Sequence, residues 1–112
     1  MKHLDLTYIL ENVTDDTVFI KELLGVFLRE VQTDVAALEH SIETNDLNQI
    51  KRDSHKVKSS FRSLGMTEMT NRLQEIENLG STQGEISEIK ALFVNFKSNM
   101  PDVLEDVRTY IA

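Results

Sequence analysis

His55 sits among the residue types that an imidazole needs if it is to carry an anion. The segment Ser54-His55-Lys56-Val57-Lys58-Ser59-Ser60-Phe61-Arg62-Ser63-Leu64-Gly65 reads as helix. Ser54 falls on the apolar seam, so His55 lies about 100° away, at the edge of the buried stripe. Lys58, Ser59 and Arg62 follow three, four and seven residues later and share its face. A negatively charged group on a ring nitrogen, a phosphoryl group for example, would find Lys58 within reach and Arg62 nearby. Ser59 is small and leaves room for an approaching protein surface, with a hydroxyl to donate. A lone histidine in a basic helix is most simply a surface residue, and it is the whole cluster that argues for chemistry.

The elements that must position His55 are helices. No stretch alternates apolar and polar residues over a strand's length. A short first helix is expected over 5–11, with Leu6, Ile9 and Leu10 as its apolar face. Thr14, Asp15 and Asp16 suit the cap and first turn of a long second helix. Its stripe runs Ile20, Leu24, Phe27, Val31, Val35, Leu38 and Ile42, widened by Phe19, Leu23 and Leu28. Gly25 inside it costs about 1 kcal/mol against Ala, which suggests a close approach by a neighbouring helix. Thr44-Asn45-Asp46 restarts the pattern, and the third helix carries Leu47, Ile50, Ser54, Val57, Phe61 and Leu64. Gly65 is a natural stop, since it accepts positive φ without steric cost.

A fourth helix is expected over 66–79, with Met69, Leu73, Ile76 and Leu79 inward, and a loop over 80–84. A last helix begins near Glu85 with Ile86, Ile89, Leu92 or Phe93, Phe96, Met100, Leu104, Val107 and Ile111 inward. Pro101 kinks it near Asn99 or opens a separate segment. The fold class is therefore all-α. The architecture is an antiparallel four-helix bundle with a short additional N-terminal helix, one domain over 1–112.

Composition narrows the function. The chain has 112 residues, no cysteine and a net charge of -7. Disulfides and thiolate metal sites are excluded. An acidic chain is a poor general nucleic-acid binder, because phosphate neutralisation drives that affinity. Charge is uneven, however: over 51–67 Lys51, Arg52, Lys56, Lys58 and Arg62 face only Asp53, a local balance of +4. The start lacks an apolar signal region, and no apolar run approaches the ~20 residues of a membrane span, so a cytoplasmic setting is expected. A bundle metal site would need Glu-x-x-His, which His3, His40 and His55 do not supply, so no metal is expected. His3 and His40 read as surface residues. No Walker, kinase or other nucleotide motif is present.

The sequence resembles the histidine-containing phosphotransfer (HPt) domains of bacterial and fungal phosphorelays. Their helix motif is His, two residues, Lys, Gly, and a closing Gly ten residues after the His. His55, Lys58 and Gly65 match; Ser59 stands where Gly is usual, and Ser54 where a small Ala is usual. Glu77 fits the position of a Gln or Glu that faces the imidazole from the next helix. It would accept from Nδ1–H and leave Nε2 as nucleophile.

The resemblance implies a phosphocarrier without kinase activity. His55 would accept a phosphoryl group from a receiver-domain aspartyl-phosphate and pass it to another response regulator. Partners would be response-regulator receiver domains or a hybrid sensor histidine kinase. The receiver would bring Mg²⁺, and the domain itself would need no cofactor. A monomer is expected. Lys58 and Glu77 would serve the transfer together with His55; Lys56, Ser59, Arg62 and Gly65 form the binding surroundings, and Phe19 and Leu23 are candidates for the docking surface. The rival reading is a helical interaction module without phosphotransfer chemistry. The dimerisation region of a histidine kinase is disfavoured, because Lys56 stands where an acidic residue is needed.

Overall fold

The computed structural model describes residues 3–112, all strand-free, as six helices. They are α1 (Leu6–Asn12), α2 (Thr17–Glu43), α3 (Leu47–Ser63), α4 (Thr67–Ser81), α5 (Ile86–Ser98) and α6 (Met100–Ile111). Three aspartates start the first three. Asp5 accepts from the Thr7 N–H at 2.9 Å, Asp16 from Val18 and Phe19 at 3.0 and 3.2 Å, and Asp46 from Gln49 at 3.1 Å. α2 has 27 residues, about 40 Å at 1.5 Å each, and matches the 42 Å long axis of the molecule.

α2, α3 and α4 follow one another by short turns and pack as neighbours. α5 packs on α4, and α5 and α6 together close the bundle against α2. The fourth position is thus filled by a broken helix. Pro101 has no N–H to give, and it sits in the first turn of α6, where none is needed. The Pro101 break therefore takes its second expected form, a separate segment.

The whole expected α2 stripe is buried, as are Ile50, Ser54, Val57, Phe61 and Leu64. Phe61 of α3 meets Phe27 of α2 edge-on at 5.3 Å and Phe96 of α5 at 5.7 Å, so one ring ties three helices at the centre. Leu4, Met66 and Val103 also join the core, while Leu10 of α1 is exposed. A seven-residue helix has room to bury only one face, and Ile9 takes it.

Two glycines differ from expectation. A Cβ on Gly25 would meet only the Arg29 guanidinium, at 3.6 Å, so no neighbouring helix approaches there. The close approach is at Gly80, which is helical and buried rather than in a loop. A Cβ there would lie 3.1 Å from the Lys51 nitrogen and 3.2 Å from the Leu47 carbonyl oxygen. This glycine lets α4 lie tightly on α3, one turn from His55.

At the other end of α3, Gly65 has φ +72°. Its N–H bonds the Arg62 carbonyl at 3.0 Å and the Met66 N–H bonds that of Phe61 at 3.1 Å, the double bond of a Schellman cap. The Tyr8 ring of α1 lies where a Cβ would be. Gly65 is therefore needed twice, for the turn and for docking α1.

Candidate functional site

His55 projects from the middle of α3, with 59% of its side chain exposed. The tight α3–α4 packing brings Glu77 of α4 across to it, and Nδ1 lies 3.1 Å from Glu77 Oε1. Lys58 stands one turn after His55, and its Nζ lies 2.9 Å from the same oxygen. One carboxylate oxygen thus joins the imidazole and the ammonium.

Lys58 is buried, at 5% exposure. The sequence reading has it on the open face of His55; instead the α3–α4 interface covers it. A charge so placed needs partners. Besides Glu77 it has Gln74, whose Oε1 accepts from Nζ at 2.8 Å. Gln74 in turn donates to Asn78 Oδ1 at 2.8 Å. Sequence reasoning missed Gln74. It stands one turn before Glu77 on α4, and that spacing is the signal that would have found it.

Burial pushes the Glu77 carboxyl up, but hydrogen bonds and charge from Lys58 and His55 outweigh that and hold it below its ordinary value. Glu77 therefore stays ionised and accepts from both partners. An acceptor on Nδ1 fixes the proton there and leaves the Nε2 lone pair outward.

The other site residues are placed less uniformly. Lys56 is exposed, but its Nζ lies 3.1 Å from Asp34 of α2. With Lys58 also paired, two of the five cations in the basic window are matched by carboxylates, and Arg52 donates to Gln49 Oε1 at 2.7 Å. Arg62 stays exposed, near Tyr8 and Gly65. The Ser59 hydroxyl donates to the His55 carbonyl at 3.0 Å, so it is spent on its own helix. Gly65 belongs to the α3 cap rather than to the imidazole's immediate surroundings.

Of the docking candidates, Phe19 is 47% exposed and Leu23 is half-buried. Leu23, Val26 and Glu30 of α2 line a shallow groove with Ser60 and Ser63 of α3, one to two turns beyond His55. His40 is exposed, whereas His3 is half-buried rather than at the surface, with Nε2 out of contact with solvent. Its backbone N–H is held by Asp106 at 2.7 Å.

Among the described residues no group of His, Asp and Glu is placed to hold a metal ion, and no helix is long and apolar enough to cross a membrane.

Comparison with known proteins gives one family and two relatives. The family model described as Hpt domain matches residues 22–110. The chain is 27% identical over 95 residues to "Phosphorelay intermediate protein YPD1" of Candida albicans, covering 85% of this chain and 44% of that protein. It is 26% identical over 105 residues to "Multistep phosphorelay regulator 1" of Schizosaccharomyces pombe, covering 87% and 36%. The chain spans less than half the length of these curated relatives. No solved structure matches.

Proposed function

This chain belongs to the Hpt domain family, and we propose that it is a phosphorelay intermediate with His55 as phosphoacceptor. The observation that carries this reading is an exposed imidazole whose Nδ1 is held by an ionised carboxylate. The printed names of both relatives, a phosphorelay intermediate and a phosphorelay regulator, support it.

The Nε2 lone pair attacks the phosphorus of an aspartyl-phosphate on a receiver domain. The P–O bond breaks and the aspartate leaves as carboxylate. Glu77 stabilises the positive charge that develops on the ring. Lys58 offsets part of the phosphoryl charge from its buried position and keeps Glu77 in place. The second transfer reverses these steps toward another receiver. Phosphoryl transfer needs positioning and charge stabilisation more than covalent help from the protein. The receiver supplies Mg²⁺, and this chain has no cofactor or kinase activity of its own.

Receiver domains of response regulators or of a hybrid sensor histidine kinase are the partners. They dock over His55 and the α2–α3 groove, with exposed Phe19 one turn before Leu23 on α2 and exposed Arg62 on α3 offering charge to their acidic site. The 112 residues work as one domain, a cytoplasmic monomer that binds neither nucleic acid nor membrane.

The test is transfer from a phosphorylated receiver, followed by intact mass. A phosphoryl adduct that is acid-labile and base-stable, and absent from His55→Gln, supports the reading. A receiver that binds tightly, yet never transfers, would make the chain an interaction module.

A further inference from the structure

We propose that the groove between α4 and α5 is a second docking surface, for a basic amphipathic helix of a partner protein, separate from the face that carries His55.

Two observations meet in that groove. The first is apolar surface that the bundle leaves uncovered. Of the large apolar side chains that are strongly exposed among the described residues, Leu10, Val13, Val18, Phe19 and Val26 lie on α1, on α2 and between them. Val94 alone lies elsewhere, on α5, and is 68% exposed. One turn before it, Ala91 lines a groove of about 520 Å³ together with Leu92 of α5 and Leu79 of α4. Leu79 and Leu92 are half-buried: they pack on the core and still form the groove's floor. A single exposed valine is ordinary, whereas an apolar groove continued by one marks a contact surface.

The second is charge. Glu75 of α4 and Glu88 of α5 line the same groove, and both are exposed. Neither pairs with a cation among the described residues, whereas Asp34 and Glu39 of α2 each hold a lysine. Arg72, one turn before Glu75, turns its guanidinium to the Met69 sulfur at 3.6 Å instead. Glu88 also suits the positive end of α5, since it stands in the first turn. Glu75 is in the middle of α4 and has no such local role. Two unpaired anions beside an apolar floor are complementary to a segment whose apolar residues are flanked by Lys or Arg.

A helix suits the shape. α4 and α5 pack as neighbours, and a third helix laid between them sets apolar residues three and four apart on Leu79, Ala91 and Leu92. Its lysines then reach Glu75 on one side and Glu88 on the other.

The groove is also apart from His55. Glu75 and Glu77 are two residues apart, about 200° around α4. Glu77 meets the imidazole of α3, while Glu75 lines the groove toward α5. A helix bound there leaves the imidazole open to a receiver.

The probe is a synthetic peptide of about four helical turns, made of Leu at spacings of three and four with Lys elsewhere. A twin carries Glu in place of Lys. Each is titrated into the ¹⁵N-labelled protein. The largest amide shifts are expected over 75–79 and 88–94 with the Lys peptide, and none with its twin. Ala91→Arg puts a bulky like charge into the groove at an exposed position, and should weaken binding about tenfold or more. Glu75→Gln combined with Glu88→Gln should weaken it about threefold to tenfold and reduce its salt dependence. If Ala91→Arg disturbs the fold, the glutamine pair still judges the groove.

No binding, equal binding of the two peptides, largest shifts around His55 or the α2–α3 groove, or unchanged affinity in the variants would overturn the inference. The relay reading is tested separately, by phosphoryl transfer to His55, so either can fall without the other.

Discussion

Glu77 holds the imidazole and the Lys58 ammonium with one oxygen, and its removal should be read by stability as well as by chemistry. A carboxyl whose folded pKa lies below its unfolded value stabilises the fold above that unfolded value. The contribution is lost as pH falls through the folded one. The urea midpoint of wild type should therefore exceed that of Glu77→Gln at pH 7, and the gap should close on acidification below the ordinary value near 4.5. A gap that widened in acid would mean that the carboxylate is not the stabilised form.

Lys58→Ala leaves Gln74 and Glu77 short of a donor, and a loss of about 1–3 kcal/mol is expected in the same measurement. The placement of Glu77 opposite the imidazole was legible only through the resemblance to HPt domains, which puts a Gln or Glu there on the next helix. The burial of Lys58 was not legible. It lies beside Val57, and whether that edge is wet or dry depends on how closely α4 approaches.

At the scale of elements, Gly80 sets that approach. A side chain there meets the backbone of α3 within 3.1–3.3 Å, and none of these three backbone atoms swings aside cheaply. Gly80→Val should cost about 1–3 kcal/mol and lengthen the His55–Glu77 contact as α4 moves out. Urea unfolding and the chemical shift of the His55 Nδ1 proton would report the two effects separately. A variant with wild-type stability and an unmoved shift would show that the helices are not so tightly joined.

The helices themselves were plain in the sequence, because apolar spacings of three and four and aspartate caps are local signals. Gly25 and Gly80 show where local signals end. The sequence puts the close approach at Gly25 and leaves Gly80 in a loop, and only the packed bundle reverses the two.

For the whole molecule, the three-ring junction of Phe27, Phe61 and Phe96 binds α2, α3 and α5 together. Phe61→Ala should cost about 3–5 kcal/mol in chemical denaturation, because the ring is fully buried and its neighbours belong to separate helices. The bundle class followed from seam periodicity and short connections. The break between α5 and α6 followed only as one of two options, since a proline marks a discontinuity without choosing between a kink and a new helix. The charge inversion around His55 was also legible in sequence, but not its internal use. Lys56 and Lys58 are spent on Asp34 and Glu77. Salt should thus weaken receiver binding less than a free +4 patch would, and Arg62→Ala should remove much of the salt dependence that remains.

The central claim is that His55 carries the phosphoryl group. Its most direct test is to mix a phosphorylated receiver domain with wild type and with His55→Gln and to weigh both intact proteins. The account predicts one phosphoryl adduct on wild type and none on the variant. An equal adduct on both, or tight receiver binding with no adduct on either, would contradict it.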